Sequence, residues 1–436
     1  MTICENTAPA LEAHELLEAC HADACVVCGL CANTCPVTNT PGAAGWDSRK
    51  VMRLIGAGLL PQVVASDYPW LCTGCGRCAG ACPQGVDLPG LMAGLKALRP
   101  RDSVPGSLHK GTATNLATGN NLGIGRVDYL EGMAELGAEL AEECPGFYVP
   151  VDKPGADVLF FPNSKEVYGD YEDQFWWWRI FHAAKADWTV PSENWEAVDW
   201  ALFSGNPEAN LELARRKIEL AKRLGVKRVI MPDCGGGSYG FRKGMQALAA
   251  QDPSMRVEFL YIYDYLLEVI REGRIRLDTS RNAGKTFTFH DSCKHGRELE
   301  RNFGHGYFDE PREILAHCVD DFVELSPGRE KNYCCGAGGG MWPMPYEEQS
   351  AWHARYKYEQ LQASGADVVV VGCSNCRDQL MKRLPRYYPD ARWEVRYLWQ
   401  VVAETLAPEP WSEAEVARGR AEAAAQWERL GIDADI

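Results

Sequence analysis

The sequence predicts an α/β protein preceded by an α-helical domain, and three observations carry that prediction. Beyond about Ala156 the chain alternates strand and helix patterns, the order that folds into α/β units with mainly parallel sheets. The alternation occurs twice, from about Ala156 to Leu277 and from about Lys285 to Pro408, which makes it an internal repeat. Ahead of it, Asp47–Ala57 and Leu88–Leu98 place apolar residues at three- and four-residue steps, the spacing of a helix with one buried face.

Each half of the repeat opens with a strand running into a short polar loop, Val158–Ser164 and then Thr286–Ser292. Each continues through a helix that closes on an aspartate and an aromatic, Asp187-Trp188 and Asp321-Phe322. A long helix and a buried strand lead to a cysteine loop, at Cys234 and at Cys373. A last strand and amphipathic helix follow, Val257–Leu267 and Trp393–Leu406. Two such lobes facing each other would gather their strand-end loops, with the cysteines, around one cleft. Before the repeat, Pro100–Gly125 is rich in Gly, Asn, Ser, Thr and Pro and reads as a surface loop. A helix is expected from about Tyr129 to Glu143. Ser412–Leu430, rich in Ala, Glu and Arg, reads as a solvated or docking helix. Trp176-Trp177-Trp178 reads as core or a partner face.

A chain of 436 residues can bury two or three cores. Its net charge of −15 argues against a nucleic-acid partner. Met1–Ala10 lacks a basic start and an apolar run, so no secretory leader is expected. No stretch approaches the ~20 apolar residues of a membrane span. Eighteen cysteines are the outlier. A chain this large does not need disulfide staples, so the thiols are expected to hold metal inside the cell.

Cys25, Cys28, Cys31 and Cys35 form C-x2-C-x2-C-x3-C before Pro36, and Cys72, Cys75, Cys78 and Cys82 repeat it before Pro83. This is the two-cluster ferredoxin run, in which the fourth cysteine ligates the other cluster. The expected cubane sets are Cys25, Cys28, Cys31 with Cys82, and Cys72, Cys75, Cys78 with Cys35. Zinc knuckles use paired C-x2-C or added histidines and fit poorly. The long helical spacer resembles the helical ferredoxin domains of respiratory complexes. Cys4, Cys20 and Cys144 have no matching partners and read as plain buried or surface thiols; Cys318 reads as a core thiol.

The second half of the repeat spaces five thiols, Cys293, Cys334, Cys335, Cys373 and Cys376, as C-x40-CC-x37-C-x2-C. That is one more than a cubane or a tetrahedral zinc requires, and adjacent cysteines suggest an unusual cluster that works on sulfur. Aligning the halves sets Lys165 opposite Cys293 and Gly237 opposite Cys376, with only Cys234 kept as the counterpart of Cys373. One such cluster is therefore expected. Gly336 and Gly338–Gly340 lack the strand-then-helix setting of a nucleotide loop and instead suit backbone N–H groups approaching cluster sulfides. His290, Lys294 and His295 flank Cys293 as candidate proton donors.

These residues resemble the cysteine-rich CCG domains of heterodisulfide reductase. The whole chain is similar to the fused D subunit of the membrane-bound enzyme and to cytoplasmic iron–sulfur subunits of transmembrane complexes in sulfate-reducing bacteria. The resemblance implies a helical ferredoxin domain (1–100), a linker and helix (101–150), two repeated Rossmann-like α/β CCG-type lobes (151–280, degenerate, and 281–408) and a carboxy-terminal helix (409–436). It implies two cubane [4Fe–4S] clusters and a noncubane [4Fe–4S] cluster on Cys293, Cys334, Cys335, Cys373 and Cys376. It further implies dithiol/disulfide or persulfide chemistry on a small carrier protein or disulfide, a cytochrome b-like integral-membrane partner, and a place on the cytoplasmic face of the membrane. A quinone-linked relay, similar to the CCG-containing partners of glycolate or glycerol-3-phosphate dehydrogenases, is the alternative; an assembly subunit with structural clusters is a weaker third.

Overall fold

The computed structural model describes residues 12–232 and 234–433. Its amino-terminal part is helical. Asp47 caps the helix Ser48–Gly56 by accepting the Lys50 N–H at 2.7 Å, and Asp87 caps Leu88–Ala97 by accepting that of Gly90 at 3.1 Å. Both helices lie where the apolar spacing puts them. Their buried faces, Val51, Met52, Leu88, Leu91 and Leu95, close a core around Trp70 and Tyr68.

Strands β1 (Val158–Phe160), β2 (Trp188–Thr189), β3 (Arg228–Ile230) and β4 (Glu258–Leu260) form a parallel sheet in the order β2-β1-β3-β4. Strands β5 (Phe287–His290), β6 (Val368–Val371) and β7 (Glu394–Tyr397) form a second parallel sheet in that order. Beside β5, Phe322 makes a parallel bridge to Phe287, the position that Trp188 takes beside Val158. The aspartates before these aromatics make matching bonds, Asp187 accepting the Val158 N–H at 3.0 Å and Asp321 that of Phe287 at 2.9 Å, through their carbonyls. The four valines of β6 are fully buried, as a central parallel strand covered on both faces requires.

The two sheets share one core. Trp177 stacks on Trp399 with ring centroids 5.7 Å apart, and Trp178 and Tyr265 are fully buried beside them. Two members of the tryptophan triplet are thus core residues, while Trp176 lies under the Arg179 guanidinium.

Three expectations need correction. Pro100–Gly125 is not all loop: Gly106–Thr118 is a 13-residue helix. Its small polar residues are there for close packing, since a Cβ on Gly111 would sit 2.0 Å from the Trp200 ring. Of the two readings of the helix Glu413–Leu430 the solvated one falls and the docking one holds: Trp427 is buried and Gln426 bonds the backbone of Val149 and Val151 at 2.8 and 2.7 Å. Cys20 is disulfide-bonded rather than a plain buried thiol. Cys318 is a fully buried core thiol, Cys144 is half-buried, and Cys4 lies outside the described residues. Among the described residues no helix is long and apolar enough to cross a membrane.

Candidate iron–sulfur site

Parallel strands put their carboxyl ends on one side, and ligands bind in the crevice beyond those ends. The loops after β1, β3, β5 and β6 meet there around a cavity of about 250 Å³. They bring Lys165, Cys234, Cys293 with Lys294, and Cys373 with Cys376 to its wall; Cys335 joins from the loop before the helix Glu347–His353. Trp200, Phe203 and Trp342 complete a mostly apolar lining.

The thiols form one contact network. Cys335 and Cys376 Sγ are 3.2 Å apart, and Ser292 Oγ lies 3.8 Å from Cys376 Sγ. Hydrogen bonds from Cys334 and Cys376 hold the Cys335 thiol well below its usual range, and bonds from Cys234 and Cys376 do the same for Cys373. Cys376 is pushed well up, by the bonds it gives Cys335 and Cys373 and then by burial; burial, then the neighbouring Cys334, raises Cys293. Thiols this crowded and buried bind metal by giving up those protons.

Cys334 is not on the cavity wall, but its thiol touches that of Cys335 on the wall. Its thiol donates to Thr73 Oγ1 at 3.4 Å and contacts the Cys75 thiol. Cys334 therefore lies between the cavity thiol Cys335 and the second ferredoxin run. Gly338 and Gly339 allow that approach: a Cβ would lie 2.6 Å from the Thr73 carbonyl oxygen and 2.4 Å from that of Cys72. Gly336 presents its N–H to a thiol, Cys334 at 3.3 Å, and Gly338 and Gly339 make room for another loop. Arg297 Nε bonds the Cys75 carbonyl at 2.7 Å and Lys96 Nζ that of Gly339 at 3.0 Å.

The ferredoxin cysteines fall into two groups. Cys25, Cys28, Cys31 and Cys82 line one small cavity, with Cys28 exposed. Cys35 lies instead beside Cys72 and Cys75, and Cys78 beside Cys35.

Of the three candidate proton donors, only Lys294 reaches the cavity wall. It pairs with buried Glu298 at 3.5 Å and lies over the Tyr239 ring. Burial, then the Lys357 charge, pulls His290 down to about 3; burial lowers His295 to about 4 against an opposing effect of Cys373, and its Nδ1 lies 3.0 Å from the Tyr263 hydroxyl. Lys165 is a wall residue that composition did not single out. Burial works against its charge, but Asp378 raises it overall, and Asp170 is 3.1 Å away. The repeat held the signal, since it sets Lys165 opposite Cys293.

The donor set fits an iron–sulfur group: clustered sulfurs around a mostly apolar space, with the Nε2 of buried His290 lacking a partner among the described residues. Comparison with known proteins gives the same class. Residues 21–86 match the 4Fe-4S dicluster domain and residues 287–381 the CCG cysteine-rich domain, so the chain is an iron–sulfur protein carrying both modules. It is similar to the D subunit of dihydromethanophenazine:CoB–CoM heterodisulfide reductase of Methanosarcina mazei, at 25% identity over 82% of this chain and 88% of that one. It is similar to the Hdr-like menaquinol oxidoreductase iron-sulfur subunit of Archaeoglobus profundus, at 26% over 73% and 67%. An EtfAB:quinone oxidoreductase of Syntrophomonas wolfei is 24% identical over 81% of this chain and 54% of its own length. Over most of its length the chain is thus similar to iron–sulfur subunits of redox enzymes, the D subunits of heterodisulfide reductase among them.

Proposed function

We propose that the chain is the iron–sulfur electron-transfer and catalytic subunit of a membrane-associated redox complex, acting on a disulfide or protein persulfide at the cavity between the sheets. The observation that carries this is the meeting of Cys293, Cys335, Cys373 and Cys376 on one apolar wall, with Cys334 in contact with the second ferredoxin run. In this reading 1–100 is a helical ferredoxin domain, 151–280 and 281–408 are repeated Rossmann-like lobes, and 409–436 is the terminal helix. The shared strand order and the matched bridges at Trp188 and Phe322 support the repeat.

Cys25, Cys28, Cys31 with Cys82, and Cys72, Cys75, Cys78 with Cys35, would hold two cubane [4Fe–4S] clusters. Cys293, Cys334, Cys335, Cys373 and Cys376 would hold a noncubane one. When bound, such a centre supplies electrons and a Lewis-acidic iron for sulfur. The overall reaction is RS–SR plus two electrons and two protons giving two thiols, and it is reversible. Lys294 holds a proton at Nζ on the wall, and the Trp200, Phe203 and Trp342 rings exclude water. A cytochrome b-like membrane protein would exchange electrons with the ferredoxin domain from the cytoplasmic face, and a small thiol carrier would be the substrate.

The similar menaquinol and quinone oxidoreductases favour one second reading, a quinone-linked relay. Electron paramagnetic resonance of the anaerobic holoprotein separates them. Disulfide chemistry gives a new signal when the oxidised protein meets a thiol substrate, and Cys376→Ser removes it. A protein silent to every thiol tried but reduced by quinol is a relay.

A further inference from the structure

We propose that Cys234 is a sixth thiolate of the centre bound at the cavity, supplied by the first sheet across from the cysteines of the second half. This rests on reading the cavity as an iron–sulfur site. Cys234 follows β3 as Cys373 follows β6, and each of those strands has a parallel neighbour on both sides in its sheet. Both residues are extended and stand at a helix N-cap, before Gly235–Gln251 and Ser374–Asp378. Both are buried, at 3% and 6% exposure, and both are on the cavity wall.

The two thiols face each other. They are in hydrogen-bonding contact, and Asn375 Nδ2 lies 4.0 Å from Cys234 Sγ. Two thiols in contact on one cavity wall can both reach a single bound centre. The Gly237 N–H donates to Cys234 Sγ at 3.3 Å, and a donor of this kind stabilises a thiolate over a thiol.

The first half cannot hold such a centre by itself. Lys165 and Gly237 stand where the second half has Cys293 and Cys376. Cys234 is the one thiol kept, and it is kept on the shared wall. Ligation would release its proton as the iron–sulfur bond forms, with no change in oxidation state.

The test uses the full chain, prepared without oxygen, as wild type, Cys234→Ser, Cys234→Ala and the core control Cys318→Ala. Iron per chain and the paramagnetic resonance and Mössbauer spectra are measured, with the cubane signals as the internal measure of folding. The wild type and the control hold about twelve irons. Cys234→Ser keeps that count but shifts the third centre's signal and one iron site, because oxygen replaces sulfur. Cys234→Ala loses or converts that signal while the cubane signals stay. Wild-type spectra and iron content in both Cys234 variants overturn the proposal. A wild type with only about eight irons, and cubane signals alone, overturns both this proposal and the reading of the cavity beneath it.

Discussion

His290 illustrates how much one side chain can be read from its neighbours. The Asn332 amide cannot be reversed, because its Nδ2 donates to the Asp291 carbonyl at 2.6 Å and its Oδ1 accepts from Lys357 Nζ. The same Nδ2 faces His290 Nδ1 at 3.2 Å. Nδ1 is therefore an acceptor, and in the neutral ring the proton sits on Nε2. A His290 ring nitrogen and the Sγ atoms of Cys335 and Cys376 lie within 4.8 Å of one another. Such an imidazole can donate a hydrogen bond to sulfur but is no acid near neutral pH. A bond of that kind favours the more negative, reduced state of a bound centre. His290→Ala should lower that centre's midpoint potential by roughly 20–60 mV, about 0.5–1.5 kcal/mol for a one-electron couple. Redox titration followed by paramagnetic resonance reads the shift, and an unchanged potential refutes the role. The sequence placed His290 beside Cys293 but could not tell a proton donor from a hydrogen-bond donor. That distinction depends on Asn332 and Lys357, which are close to it only after folding.

Among the elements, long amphipathic and strongly apolar segments were legible. The helices Ser48–Gly56 and Leu88–Ala97 and the valine strand β6 fall where periodicity and branching put them. The helix Gly106–Thr118 was not, because Gly, Ser, Thr and Asn have the same composition in a loop and in a closely packed helix. For Glu413–Leu430 the sequence left solvated and docking helix open, because the choice depends on partners hundreds of positions earlier. His182, on the helix Glu172–Ala183, holds the segment that leads into that helix. Its ring stacks on Trp411 at 4.2 Å, and its carbonyl accepts the Trp411 Nε1–H at 3.2 Å. Burial, then the charge of Lys185, lowers His182 from 6.5 to about 4. The unfolded segment binds more protons between those values, so stability is full above pH 6.5 and falls as pH drops toward 4. Hydrogen exchange should show residues 413–430 losing protection across that window. His182→Phe should flatten the dependence, and an equally steep loss in that variant would refute the assignment.

At the scale of the molecule, the fold orders its cysteines into a line. The group Cys25, Cys28, Cys31 and Cys82 has an exposed member. The group around Cys72, Cys75, Cys78 and Cys35 is more deeply enclosed and meets Cys334. The cavity follows, one peptide bond further on, at Cys335. The motifs revealed the three groups but not their sequence in space, because the Cys334–Thr73 contact joins positions 261 apart. Electron tunnelling weakens steeply with distance, so a donor protein excluded from the buried groups must deliver through the exposed one. Cys28→Ala should then cost the chain about four irons and leave the spectrum of the cavity centre intact. It should slow reduction of that centre by a protein-sized donor by at least about tenfold, equivalent to ~1.4 kcal/mol of barrier. A small reductant that diffuses to the cavity should still reduce it at close to the wild-type rate. If the protein-sized donor reduces the variant as fast as the wild type, electrons enter elsewhere and the line does not run from the exposed end.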